Sequence, residues 1–172
     1  MNKWDTSKFE AILRRLEAVC KTEVEWGFFE DAVYPANHIN PAAAGLPVAT
    51  VAWANEHGSP LAPSRPFFTM NIKEVFPMVD GGNRPPLVAP QLANIVQNAI
   101  SNKGTGAPYR RLGVALQTSL KERIEDYGTQ SGDVRPNNSA RWQAVKGFDD
   151  PLRQSGKMIE SVDYRLATAG SP

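Results

Sequence analysis

The sequence holds little of what would mark a secreted, metal-bound or membrane protein. It has one cysteine, Cys20, which cannot form an internal disulfide. With no signal-peptide pattern at the start, this leads us to expect synthesis in a reducing, intracellular setting. Cys20, His38 and His57 are too few for a zinc site built from nitrogen and sulfur ligands. No apolar run approaches the ~18 residues of a membrane span, so a membrane partner is not expected. Nineteen Lys and Arg against eighteen Asp and Glu leave a net charge of +1. That is no field to gather nucleic acid or an anionic surface. Internal repeats and low-complexity tracts are lacking too. What remains is 172 residues, 41% hydrophobic and 22% charged, the composition of a globular chain long enough for one core.

Periodicity places the elements. Phe9, Ile12, Leu13, Leu16, Val19 and Cys20 recur at helical spacing, and Ser7 with Glu10 has the separation of a capping box, so a helix is expected near 7–20. Thr22 to Phe29 alternates, with Val24, Trp26 and Phe28 opposite Glu23, Glu25 and Gly27, as in a half-buried strand. Glu30–Leu46, with Pro35, Pro41, Asn37, Asn40 and Gly45, reads as a long surface loop. Pro47–His57 is short, rich in valine, alanine and threonine, and stopped by Gly58-Ser59-Pro60; it suits a second strand, in a hairpin with the first. A helix over Phe67–Phe76 follows, with Pro66 at its first position, ended by Pro77 and Gly81-Gly82.

Two apolar stripes come next, Val88, Leu92, Ile95, Val96, Ala99 and Ile100, then Leu112, Leu116, Leu120, Ile124 and Tyr127. Gly104-Thr105-Gly106 between them makes a helical hairpin. Gly128–Asn138 reads as turn, Ser139–Val145 as a short helical turn carrying Trp142, and Ile159–Leu166 as a third strand before a frayed Gly170-Ser171-Pro172. The expected fold is therefore α+β. A small antiparallel or mixed sheet is packed by the N-terminal helix and a helical hairpin, in a single domain over 1–172 with a long loop at 30–46.

Catalytic constellations do not converge. Ser155, His57 and Asp149-Asp150 lack nucleophile-elbow spacing and read as turn residues. Glu56-His57 lacks the second histidine of a zincin motif. The glycine pairs lack a following lysine and serine, so neither is a phosphate loop. Glu23 and Glu25 read as a solvated strand face, and Arg110-Arg111, Lys121 and Arg123 beside Glu122, Glu125 and Asp126 as a mixed-charge exposed helix face. The distinctive feature is a concentration of aromatics on proline-rich sequence: Trp26, Phe28, Phe29, Tyr34, Trp53, Phe67, Phe68 and Phe76. Such side chains fill cores, or offer another protein pre-ordered contact area.

Several segments in order resemble a known family. They are Glu23–Phe29 (EVEWGFF) leading to Tyr34-Pro35, Pro47–Gly58 (PVATVAWANEHG) and Pro63–Phe68 (PSRPFF). Pro136-Asn137-Asn138-Ser139, Lys146-Gly147, Pro151-Leu152 and Ser155-Gly156-Lys157-Met158 follow, before Ser161-Val162-Asp163-Tyr164-Arg165. The set is similar to the head–tail joining and tail completion proteins of tailed bacteriophages, including the virion morphogenesis proteins of Mu-like phages, whose pattern implies a strand, a tyrosine-containing loop, a second strand running into glutamate-aromatic-glycine, an arginine-proline-phenylalanine-phenylalanine turn and a closing strand that ends in a tyrosine. The likeness runs over residues 22–76 and 105–167. His57 stands where a phenylalanine is usual, Ser155 where a threonine is usual, and the 30–46 loop is long.

The resemblance implies a structural virion protein of the connector region, made in the host cytoplasm and seated at the head–tail junction. It implies no reaction and no cofactor. Its partners would be further copies of itself in a ring, with a hexamer preferred to a dodecamer, together with connector or portal-side proteins and tail tube or terminator proteins. DNA would pass through the lumen without sequence-specific binding. A tail terminator capping the tube is the alternative, and a small uncharacterised enzyme a more distant one. Tyr34, Arg65, Phe67 and Phe68 are the expected subunit or partner contacts, with Arg65 offering its planar fork to a carboxylate on a neighbour or in its own fold.

Overall fold

The computed structural model describes residues 6–59, 63–76, 87–127, 143–144, 147, 152 and 155–168. In chain order these form α1 (Ser7–Cys20), β1 (Thr22–Phe28), α2 (Val48–His57), α3 (Phe67–Val75), α4 (Val88–Ile100), α5 (Gly106–Glu125), α6 (Lys157–Glu160) and β2 (Val162–Thr168). The class is α+β, helices with a two-stranded antiparallel sheet of β1 and β2. By contacts the chain groups into two compact units. One comprises Met1–Trp26, Val75–Leu116 and Tyr164–Pro172, the other Gly27–Glu74 and Gln117–Asp163.

In the first unit α1 packs on α4. The core is Val75, Val88, Ile95, Tyr109, Leu112 and Leu116, with Val19, Val24, Trp26 and Leu87 packed against it. The Tyr109 hydroxyl donates to the Val19 carbonyl at 2.8 Å, and the Trp26 and Phe76 rings meet at 6.1 Å. The apolar stripe of α4 is wider than its core contact. Val88, Ile95 and Ala99 are buried, whereas Leu92, Val96 and Ile100, on the next row of the helix, remain exposed.

In the second unit the buried side chains include Phe67, Leu120, Ile124, Tyr127, Met158 and Val162. Every member of the expected stripe on α5, Leu112 to Tyr127, is buried. Arg123 departs from the expected exposed face: it is buried on α5, and its Nη1 donates to Glu74 Oε1 of α3 at 3.0 Å. Asn71 of α3, fully buried, donates to Ser119 Oγ at 2.8 Å.

Four expectations are corrected. Pro47–His57 is a helix, not a strand, so no hairpin forms with β1. Alanines at 49, 52 and 54 favour helix, Val48 and Ala52 turn one face inward, and Gly58 at φ 79° stops it, its N–H bonded to the Ala54 carbonyl. The partner of β1 is the chain's last described strand instead. That strand is shifted, because Gly156 at φ 74° opens the helical turn α6 over Lys157–Glu160 and β2 begins only at Val162. At the start of α1 the N-cap is Thr6 instead of Ser7, and the Thr6 hydroxyl donates to Glu10 Oε1 at 2.9 Å. Pro77, Gly81-Gly82, Gly128–Asn138, Trp142 and Gly170-Ser171-Pro172 lie outside the described residues, while Gln143 and Ala144 are helical.

Candidate functional site

A helix opening on Arg-Pro-Phe-Phe brings no capping side chain of its own, yet its first N–H groups need acceptors. The acceptors come from the end of α2. Glu56 Oε2 takes the N–H of Phe68 at 2.8 Å, and Oε1 takes the N–H of Thr69 at 3.0 Å and its hydroxyl at 2.6 Å. The N–H of Phe67 bonds to the Arg65 carbonyl, that of Met70 to the Pro66 carbonyl, and Pro66 has none to place. Every donor of the first turn is thus satisfied, and a carboxylate sits at the positive end of the helix.

The intervening turn is tied down from the same side. The Arg65 N–H donates to the Asn55 carbonyl at 2.7 Å, Arg65 Nη1 to Asn55 Oδ1 at 3.3 Å, and Ser64 Oγ to the Glu56 carbonyl at 2.6 Å. Asn55-Glu56 is therefore a clasp that holds Ser64 to Thr69.

The 30–46 loop is pinned at its neck by the Val33–Pro47 bridge, the Tyr34 N–H to Leu46 carbonyl bond at 3.0 Å and the Gly45 N–H to Tyr34 carbonyl bond at 3.2 Å. Tyr34 fills its inside, its ring centroid 4.6 Å from that of His38, and burial pushes its phenol up to about 12. Burial also raises Tyr109, against a smaller opposing effect of a hydrogen bond with Thr22. His38 Nδ1 lies 3.2 Å from the Asn40 N–H and 3.4 Å from the Asn40 carbonyl, and Nε2 shares a hydrogen bond with Ser155 Oγ at 3.1 Å whose direction follows the ring tautomer. His57, the partner imagined for Ser155 from sequence, instead bonds the Trp53 carbonyl at 3.0 Å and stacks on its indole. Asp149 and Asp150 lie outside the described residues.

Of the expected contact residues, Tyr34, Arg65 and Phe67 are buried within the chain and Phe68 is half-buried. Phe67 meets Phe28 edge-on at 6.1 Å. Phe68 lies over Gly27, where a Cβ would come within 3.4 Å of its ring. Arg65 uses its fork inside its own fold. The most exposed large apolar side chains among the described residues are Phe9, Ile39 and Trp53, at 62%, 56% and 63%; the sequence reading placed Phe9 in the stripe of the first helix and Trp53 among the distinctive aromatics, and did not single out Ile39.

Among the described residues no cluster of histidine, cysteine, aspartate or glutamate could hold a metal ion, and no helix is long and apolar enough to cross a membrane. Comparison with known proteins brings no relative: no family model, no curated protein and no solved structure matches the chain.

Proposed function

We propose that the chain is a structural virion protein of the bacteriophage head–tail connector region, a neck or tail completion subunit forming a ring between connector and tail. The observation that carries this reading is that the segments resembling that family engage one another. EVEWGFF and SVDYR, from opposite ends of the likeness, supply the two paired strands, and Glu56 of the ANEHG segment caps the helix opened by PSRPFF. The strand pairing and the cap support the reading, while Pro47–Gly58 departs from it, being helix α2 where the family pattern implies a strand.

On this reading the chain works by contact alone, with no cofactor and no reaction. Its neighbours are copies of itself, connector or portal-side proteins and tail tube or terminator proteins, and DNA crosses the lumen without being read. Loss of the gene from the phage that carries it tests the reading by electron microscopy of the lysate. Filled heads beside unattached tails of normal length are expected. Tails of abnormal length would make the chain a tail terminator, and normal infectious particles would overturn both readings.

A further inference from the structure

We propose that the end of the α4–α5 hairpin, through Lys103, Arg110 and Arg111, is a phosphate-contacting surface for double-stranded DNA. This deepens the neck reading, and rests on it for the claim that DNA is the polyanion the chain meets.

Charge is segregated along this part of the chain. Between Asp80 and Glu122 the sequence has no Asp or Glu, so the net charge of +1 hides a local excess. Elsewhere among the described residues, every Lys or Arg that is exposed or half-buried has an acidic residue within three positions, as Lys21 has Glu23 and Lys73 has Glu74. Lys103, Arg110 and Arg111 have none within ten. All three are exposed, and among the described residues no carboxylate pairs with any of them.

The three stand together at one end of the hairpin. Asn98 fixes the turn: its Nδ2 donates to the Gly104 carbonyl at 3.3 Å, and its carbonyl accepts the Lys103 N–H at 2.8 Å. Arg110 reaches back along α5 to that turn, its Nη1 3.6 Å from where a Cβ would stand on Gly106, and Arg111 is the next residue of the helix. Helix stability does not account for these cations. The first turn of α5 has no acidic residue, and positive charge beside a helix N-terminus opposes the dipole. The free chain bears that cost, and a phosphate brought to the surface removes it.

The neighbouring residues select the occupant. From Ser101 to Arg111 the exposed residues are small, amide or cationic, while Pro108 and Tyr109 turn inward. Lys, Arg, Ser and Asn side chains are those that contact the phosphates of a duplex, and no exposed residue of this stretch is a large apolar one able to anchor in a bilayer. Phosphate contacts carry no sequence information, which suits DNA that must slide past. With three phosphates neutralised, affinity falls with a log–log salt slope of about −2.7, or ~200-fold between about 20 and 150 mM salt. A single chain therefore binds weakly and best at low salt, and copies in a ring add their contacts.

The test is fluorescence anisotropy of two short labelled DNA duplexes of unrelated sequence, titrated with the purified chain from about 20 to 150 mM salt. Both should bind alike, with the slope given. Lys103→Gln, Arg110→Gln and Arg111→Gln should each flatten the slope by ~0.9, and the triple variant should lose binding. Lys73→Gln, at an exposed cation on α3, should leave it unchanged. Thermal melting checks that each variant folds. No binding at the lowest salt, binding that the triple variant keeps, or an equal effect of Lys73→Gln would overturn the proposal. So would tighter binding of phosphatidylserine vesicles or polyglutamate through the same three residues. Such a failure would show in the purified chain and leave the neck reading, which is tested on particles, standing.

Discussion

The ring of Tyr164 on β2 lies so close over the backbone of α5 at Gly113 that a methyl group on Gly113 would overlap it. The glycine gives up helix propensity to let a strand residue approach the helix backbone, and both residues belong to the first unit.

Gly113→Ala sets two effects against each other. Alanine favours helix by ~1 kcal/mol, but overlap with the near edge of the Tyr164 ring, Cγ included, costs about 1–3 kcal/mol, so the variant should be less stable in urea. In a Tyr164→Ala background the overlap is gone and the same change should become stabilising by up to ~1 kcal/mol. If its sign does not reverse, the contact is not what requires glycine.

Glu56→Ala removes the acceptor for two backbone N–H groups and one hydroxyl at the start of α3. A loss of ~1–2 kcal/mol is expected from denaturant melts, with Glu56→Gln recovering part of it through its one remaining oxygen. The neighbouring His57→Ala should stay within ~0.5 kcal/mol, since His57 is exposed and bonds only within α2. Equal losses at 56 and 57 would refute the clasp.

Glu74→Gln keeps the shape of the side chain that meets the buried guanidinium of Arg123 but removes its charge. Stability should fall by about 1.5–3 kcal/mol, the worth of a hydrogen bond to a charged group. Most of the loss should persist in high salt, because the Arg123 end of the pair is buried, its side chain 3% exposed against 24% for Glu74. A loss that vanishes with added salt would place the pair at the surface.

Tyr34 is held protonated by burial, its pKa raised from 10.0 to about 12. A raised folded value means that the native state keeps its proton where the unfolded state has lost it. The corresponding stability is complete below pH 10 and disappears as pH rises toward 12. Tyr34→Phe should flatten that alkaline decline, followed by melts at stepped pH, and should remove one late-titrating phenol from the ultraviolet titration.

Much of the fold was legible from periodicity. The helix at 7–20, the strand from Thr22, the helix from Phe67 and the long stripe from Leu112 to Tyr127 all carry a clear period, with a fully buried face on the stripe and only partly buried residues on the first helix. The 47–57 segment was not, because valine and threonine in a short run match a strand pattern, and only the alanines and the terminating Gly58 point the other way. The apolar stripe of α4 gave its helix but not its exposure, since periodicity marks an apolar face without saying what covers it. Arg123 was misplaced because its partner, Glu74, is far away in sequence. The Glu56 clasp left one trace, a helix start without a local cap, which calls for an acceptor from elsewhere. Tyr34, Arg65 and Phe67 were recognised as important, but burial gives them a role inside the chain that composition cannot distinguish from one at a contact.

The most direct measurement of the central claim is a cryo-electron-microscopy reconstruction of the head–tail junction in particles of the phage that encodes this chain. The account predicts several symmetry-related copies of it between connector and tail. A junction in which the chain is absent, or is present as a single copy, would contradict it.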